Sequence, residues 1–108
     1  MSHLILSLLA AVGLFAAQGK QTFTGVIIDN MCAKGSHAQM RMGPTDADCT
    51  LACVAAHDAA YVLSDGKDVY RLSDQRTPEK FAAQKVRVVG TLDARTRTIQ
   101  VDSISAAQ

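Results

Sequence analysis

Three cysteines, two histidines and three methionines crowd into residues 31–57 of a 108-residue chain, MCAKGSHAQMRMGPTDADCTLACVAAH. They are Cys32, Cys49, Cys53, His37, His57, Met31, Met40 and Met42. Thiolate and imidazole are the ligands of zinc, and thiolate with thioether suits Cu(I). Cys49, Cys53 and His57 follow one another at four-residue steps, which on a helix puts them on one face. Side chains one turn apart have Cβ atoms about 5–6 Å apart, whereas a disulfide needs about 3.8 Å. A Cys49–Cys53 bridge would strain the turn. Two thiolates so placed can instead clasp a metal at about 2.3 Å each. Cys32 can add a third thiolate and His37 a nitrogen, a Cys3His set of the closed zinc type.

Other chemistry is open to the same residues. Cys32 can pair with Cys49 or Cys53 in a disulfide, leaving one buried thiol. Cys53 with His57 can serve as a redox thiol, which requires a depressed pKa. His57 also suits a helix C-terminus, where its charge offsets the dipole. Met40 and Met42 can simply pack as apolar side chains. Haem attachment is disfavoured, because three residues separate Cys49 from Cys53 and no histidine follows directly. No Ser/His/Asp motif and no phosphate-binding glycine loop occurs. Asp29, Asp65 and Asp93 read as turn formers.

Short elements must position these side chains. Residues 46–57 read as a helix: Thr45 can cap it, and Asp46 and Asp48 favour its first turn. Asp48 lies three residues after Thr45, a relative of the capping box. Residues 22–30 (TFTGVIIDN), 60–64, 68–72, 85–92 and 98–104 read as strands. Gly25 marks a bulge or bend in the first. Asp65-Gly66 signals a hairpin between the second and third. Thr77-Pro78 resembles a cap followed by proline at the start of a short helix reaching about residue 83. This order predicts a mainly β fold: a small five-stranded OB-like barrel. A Cys-rich helical insertion, residues 31–58, stands between strands 1 and 2, and the short helix stands between strands 3 and 4.

Ahead of the strands, residues 4–17 (LILSLLAAVGLFAA) form an apolar run too short for the ~20 residues of a membrane span. The run suits a secretory signal, residues 1–19, with Ala17 and Gly19 at the cleavage positions. The expected mature chain is a single domain, 20–108, periplasmic or secreted and not membrane-spanning. Eleven basic and ten acidic residues give a formal net charge of +1, which argues against a basic nucleic-acid clamp. The segment 67–97 is richer in basic residues, but aromatic residues are only 5% of the chain, too few to build a stacking surface. No nucleic-acid partner is expected.

The stretches Gly25-Val26-Ile27-Ile28-Asp29-Asn30-Met31-Cys32, His37 and Cys49-Thr50-Leu51-Ala52-Cys53-Val54 resemble a group of small secreted bacterial domains of OB-like fold. Tyr61-Val62-Leu63, Val69-Tyr70-Arg71-Leu72 and Val86-Arg87-Val88-Val89-Gly90-Thr91-Leu92 extend the resemblance. Members commonly carry glycine after the first cysteine, where this chain has Ala33. The group is uncharacterised and implies no activity. The resemblance implies that Cys32, His37, Cys49 and Cys53 belong together, and it favours His37 over His57. The expectation is a non-enzymatic exported domain binding zinc or Cu(I) through these four residues. The alternatives are a disulfide-stapled module binding a small molecule, glycan or protein on the barrel surface, and a thiol redox protein.

Overall fold

The computed structural model describes residues 19–32 and 43–107. His37, Met40, Met42 and most of the expected signal segment lie outside the described residues. The chain forms β1 (Gln21–Asp29), α1 (Asp46–His57), β2 (Tyr61–Ser64), β3 (Val69–Leu72), a 3-10 helix (Thr77–Phe81), β4 (Lys85–Asp93) and β5 (Thr98–Ala106). The expected strands stand within a residue or two, and the helical insertion falls between β1 and β2.

The strand order β1–β2–β3–β5–β4 returns to β1, so the sheet closes into a barrel. β1 carries the closure because it is shared. Residues 21–26 pair with β4 and 26–29 pair with β2, with Val26 common to both ladders. Gly25 sits at this crossover, where a Cβ would lie 2.5 Å from the Ser64 carbonyl oxygen. The expected bend at Gly25 is therefore a close backbone approach.

The β3–β5 junction is parallel and only two residue pairs long, Arg71↔Thr98 and Leu72↔Ile99. Side chains reinforce it. Ser73 Oγ accepts from the Val101 N–H at 2.8 Å. The Gln75 amide bonds both the N–H and the C=O of Tyr61 and the carbonyl of Leu72.

Strand alternation fills the interior with Ile27, Tyr61, Leu63, Leu72, Val86, Val88 and Ile99. Burying each large aliphatic side chain of this set is worth about 1.5–3 kcal/mol. Phe23 and Tyr70 add a tilted ring pair with centroids 5.4 Å apart. The 3-10 helix brings buried Pro78 and half-buried Phe81 to this core. Ala82 then bridges to Ile27, and the Ala83 N–H donates to the Ile27 carbonyl at 2.8 Å.

One local expectation holds and one is corrected. The hairpin at Asp65-Gly66 forms: β2 and β3 pair antiparallel, the Asp65 N–H donates to the Asp68 carbonyl, and Asp65 Oδ1 accepts from Lys67 N–H and Asp68 N–H. Those donors also hold the Asp65 carboxyl below the usual carboxylate range. Thr77 does not cap the short helix. Arg76 holds that position without a side-chain bond, and Asp74 Oδ1 accepts from Arg76 N–H and Thr77 N–H instead.

Candidate metal centre

α1 forms as its sequence demands. Thr45 Oγ1 accepts from the Asp48 N–H at 3.1 Å, and its hydroxyl donates to Asp48 Oδ2 at 2.8 Å. Asp48 thus bonds the capping hydroxyl, where a capping-box glutamate would reach the cap's backbone N–H. Asp58, in the left-handed region at φ 56°, closes the helix with its N–H on the Cys53 carbonyl. This fixes a buried face of Cys49, Thr50 and Cys53. His57 is exposed in the last turn, where its charge would complement the dipole.

The second wall is the end of β1. Inward parity from Ile27 carries Asp29 to full burial. Asp29 Oδ2 accepts from the Cys32 N–H at 2.9 Å, folding the chain back so that Cys32 is also buried. Asp29 is therefore a turn former, as its type suggested. It is also a buried carboxylate beside two thiols.

Cys32 Sγ and Cys53 Sγ stand 4.0 Å apart. One ligand atom from each of Asp29, Cys32 and Cys53 lies within 4.8 Å of the other two. No disulfide joins the three cysteines, and the separation is well beyond the ~2.05 Å of an S–S bond. It is near the edge of a zinc tetrahedron, where two sulfurs at about 2.3 Å from the ion are about 3.8 Å apart.

Cys49 is fully buried one turn earlier, and its thiol donates to the Gly43 carbonyl at 3.6 Å. Of the four residues expected to converge, the structure brings Cys32 and Cys53 together. It sets Cys49 behind them, and His37 is outside the described residues. It adds Asp29, which residue type alone had assigned to a turn. The signal for Asp29 was its parity, two residues after the core position Ile27 and three before Cys32.

Electrostatics define what this cluster can do. Burial, followed by the hydrogen bond and charge of Asp29, pushes the Cys32 thiol from 9.0 up to about 12. Burial and the same charge also raise Cys53. A redox nucleophile needs the opposite shift, which counts against Cys53 in that role. Two buried thiols beside a carboxylate retain their protons unless a cation takes their place.

The raised thiols have a stability consequence. The unfolded chain releases the Cys32 proton near 9.0, whereas the folded chain holds it to about 12. Folding stability is therefore complete below the first value and falls as pH rises through the second. Burial raises Tyr61 as well, with the same sign. Urea unfolding of metal-free protein at about pH 8 and pH 11 should show a clear alkaline loss. Cys32→Ser should make that loss shallower, and an unchanged alkaline slope would contradict the assignment.

Residues 57–107 match a family described as Protein of unknown function (DUF5818). The match spans β2 to β5 and stops short of Cys32, Cys49 and Cys53. The chain is thus similar to that family over its later strands, and the cysteine cluster lies outside the likeness. No curated protein and no solved structure matches the chain. Among the described residues, no helix is long and apolar enough to cross a membrane.

Proposed function

We propose that this protein is an exported, non-enzymatic OB-like domain that binds a metal ion beside its barrel, in the periplasm or outside the cell. Cys32 and Cys53 act as thiolate ligands and Asp29 as an oxygen ligand. His37 is a further donor that the sequence supplies, whereas Cys49, behind the pair with its thiol donating to the Gly43 carbonyl, is not one of the thiolate ligands. The observation that carries this reading is the approach of two sulfurs to 4.0 Å with a buried carboxylate alongside. The carboxylate favours zinc over Cu(I), since Cu(I) selects soft sulfur donors and zinc accepts carboxylate oxygen.

Elemental analysis of anaerobically purified mature protein tests the proposal. A stoichiometric zinc content that Cys53→Ser abolishes is expected. A metal-free protein with its thiols in disulfides would overturn it. The sulfur proximity also supports a second reading, a Cys32–Cys53 disulfide formed in an oxidising compartment. Thiol titration with intact mass separates the two, because the disulfide form keeps only the Cys49 thiol.

A further inference from the structure

The outer face of β2 and β3 forms the floor of a groove of about 910 Å³, within the roughly 300–1,000 Å³ of small-molecule sites. Strand parity explains its character. Tyr61, Leu63, Tyr70 and Leu72 turn to the core, so Val69 and Arg71 face the groove, while Val62, only 2% exposed, lies beneath its floor. Met31, an exposed apolar side chain, and Arg97 also line the groove.

The charge in this groove is unbalanced. The Arg71 N–H donates to the Arg97 carbonyl at 2.9 Å, so both guanidinium groups spring from one backbone junction. Arg71 has no ion pair among the described residues. Arg97 meets Asp68 at 3.4 Å, the arginine exposed and the aspartate half-buried. Arg97 also holds φ 56° at the end of the β4–β5 turn, a left-handed position that favours glycine. A long cationic side chain placed there against local preference points to use. Tyr70 packs its ring on Phe23, and Tyr61 borders the groove but is only 4% exposed, so little aromatic face is offered for stacking bases or sugars.

We propose that this groove binds a carboxylate carried on an aliphatic body. Arg71 and Arg97 hold the head group through charge-assisted hydrogen bonds, and Val69 and Met31 cover the tail. The inference is independent of metal binding.

The test is NMR titration of the isotope-labelled mature chain with sodium decanoate below its micelle concentration. Saturable shifts at the amides of Val62, Val69, Arg71 and Arg97 are expected. Arg71→Gln, Arg97→Gly and replacement of the probe by neutral decanamide should each weaken binding by about tenfold or more. Arg97→Gly should at the same time raise the melting temperature, which separates lost binding from lost folding. Absence of saturable shifts, equal binding of decanamide, or indifference to Arg71→Gln overturns the proposal. So does tighter binding at the same amides by oligothymidylate or by a peptide with an amidated C-terminus.

Discussion

Gly90→Ala is expected to lower folding stability by about 3 kcal/mol or more, which for a domain of this size is roughly 15 °C in melting temperature. The ladder between β4 and β5 slips at this point. Val89 pairs with Ser103 but Gly90 pairs with Val101, so Asp102 is the extra residue of a bulge. The slip brings β5 close to the Gly90 Cα. A Cβ there would press on the Gln100 carbonyl oxygen, and would lie 2.8 Å from Ile99 Cγ2 and 3.0 Å from the Gln100 carbonyl carbon. Ile99 is a fully buried core residue. Neither it nor the backbone of a paired strand can move aside cheaply, unlike the tip of a flexible side chain. Most overpacking costs about 1–3 kcal/mol, and a backbone collision belongs at the top of that range.

Gly66 supplies the contrast. It has φ 91° and nothing within 4 Å of its Cβ position, so Gly66→Ala should cost only the ~1–2 kcal/mol of left-handed backbone strain. Thermal and urea unfolding of both variants check the ranking. Equal stabilities would mean that the β4–β5 register is not the one described.

The features that could be read from the sequence were those fixed by near neighbours. Helix α1 spans Asp46–His57 with Thr45 as its cap, because capping and the absence of glycine or proline are decided within one turn. The strands followed from β-branched alternation, and Gly25 from its position inside a strand. The Asp65-Gly66 hairpin was legible for the same reason, since its own residues close it, Asp65 Oδ1 accepting from the Lys67 and Asp68 N–H groups. Where two local devices competed, one misled. Thr77 looked like a cap, yet Asp74 had already bonded the Thr77 N–H.

The site divided along the same line. Residue chemistry marked Cys32 and Cys53. The role of Asp29 depended on burial, which arises only when β1 is closed between two other strands. A polar residue at a strand end is read as a turn unless its parity is traced back to Ile27. The two-pair parallel contact of β3 with β5 left no sequence pattern at all, being too short for periodicity. It is nevertheless what carries Arg71 and Arg97 together.

Apparent zinc affinity is expected to rise by about 100-fold for each pH unit between roughly pH 6 and 8. The reason is proton competition at two thiols. Cys32 is pushed up to about 12, and Cys53 is raised from 9.0 by burial and the Asp29 charge. Both are fully protonated in that range, so binding must expel one proton from each. Each expelled proton contributes a factor of about ten per pH unit, in the direction of tighter binding at higher pH.

Cys53→Ser removes one ligand and one competing proton. Loss of an outer-shell partner alone costs about 10–100-fold in metal affinity, so loss of this thiolate should exceed about 100-fold at the upper end of the range. The pH slope should also halve on a logarithmic scale. Asp29→Asn should weaken binding yet keep the two-proton slope, since it deletes an oxygen ligand and leaves both thiols. Competition against a chromophoric chelator, corrected for the chelator's own protonation, reads all three quantities. A slope of one proton or none in the unaltered protein would separate Cys32 from Cys53 as joint ligands. The 4.0 Å approach of their sulfurs would then be core packing of two thiols.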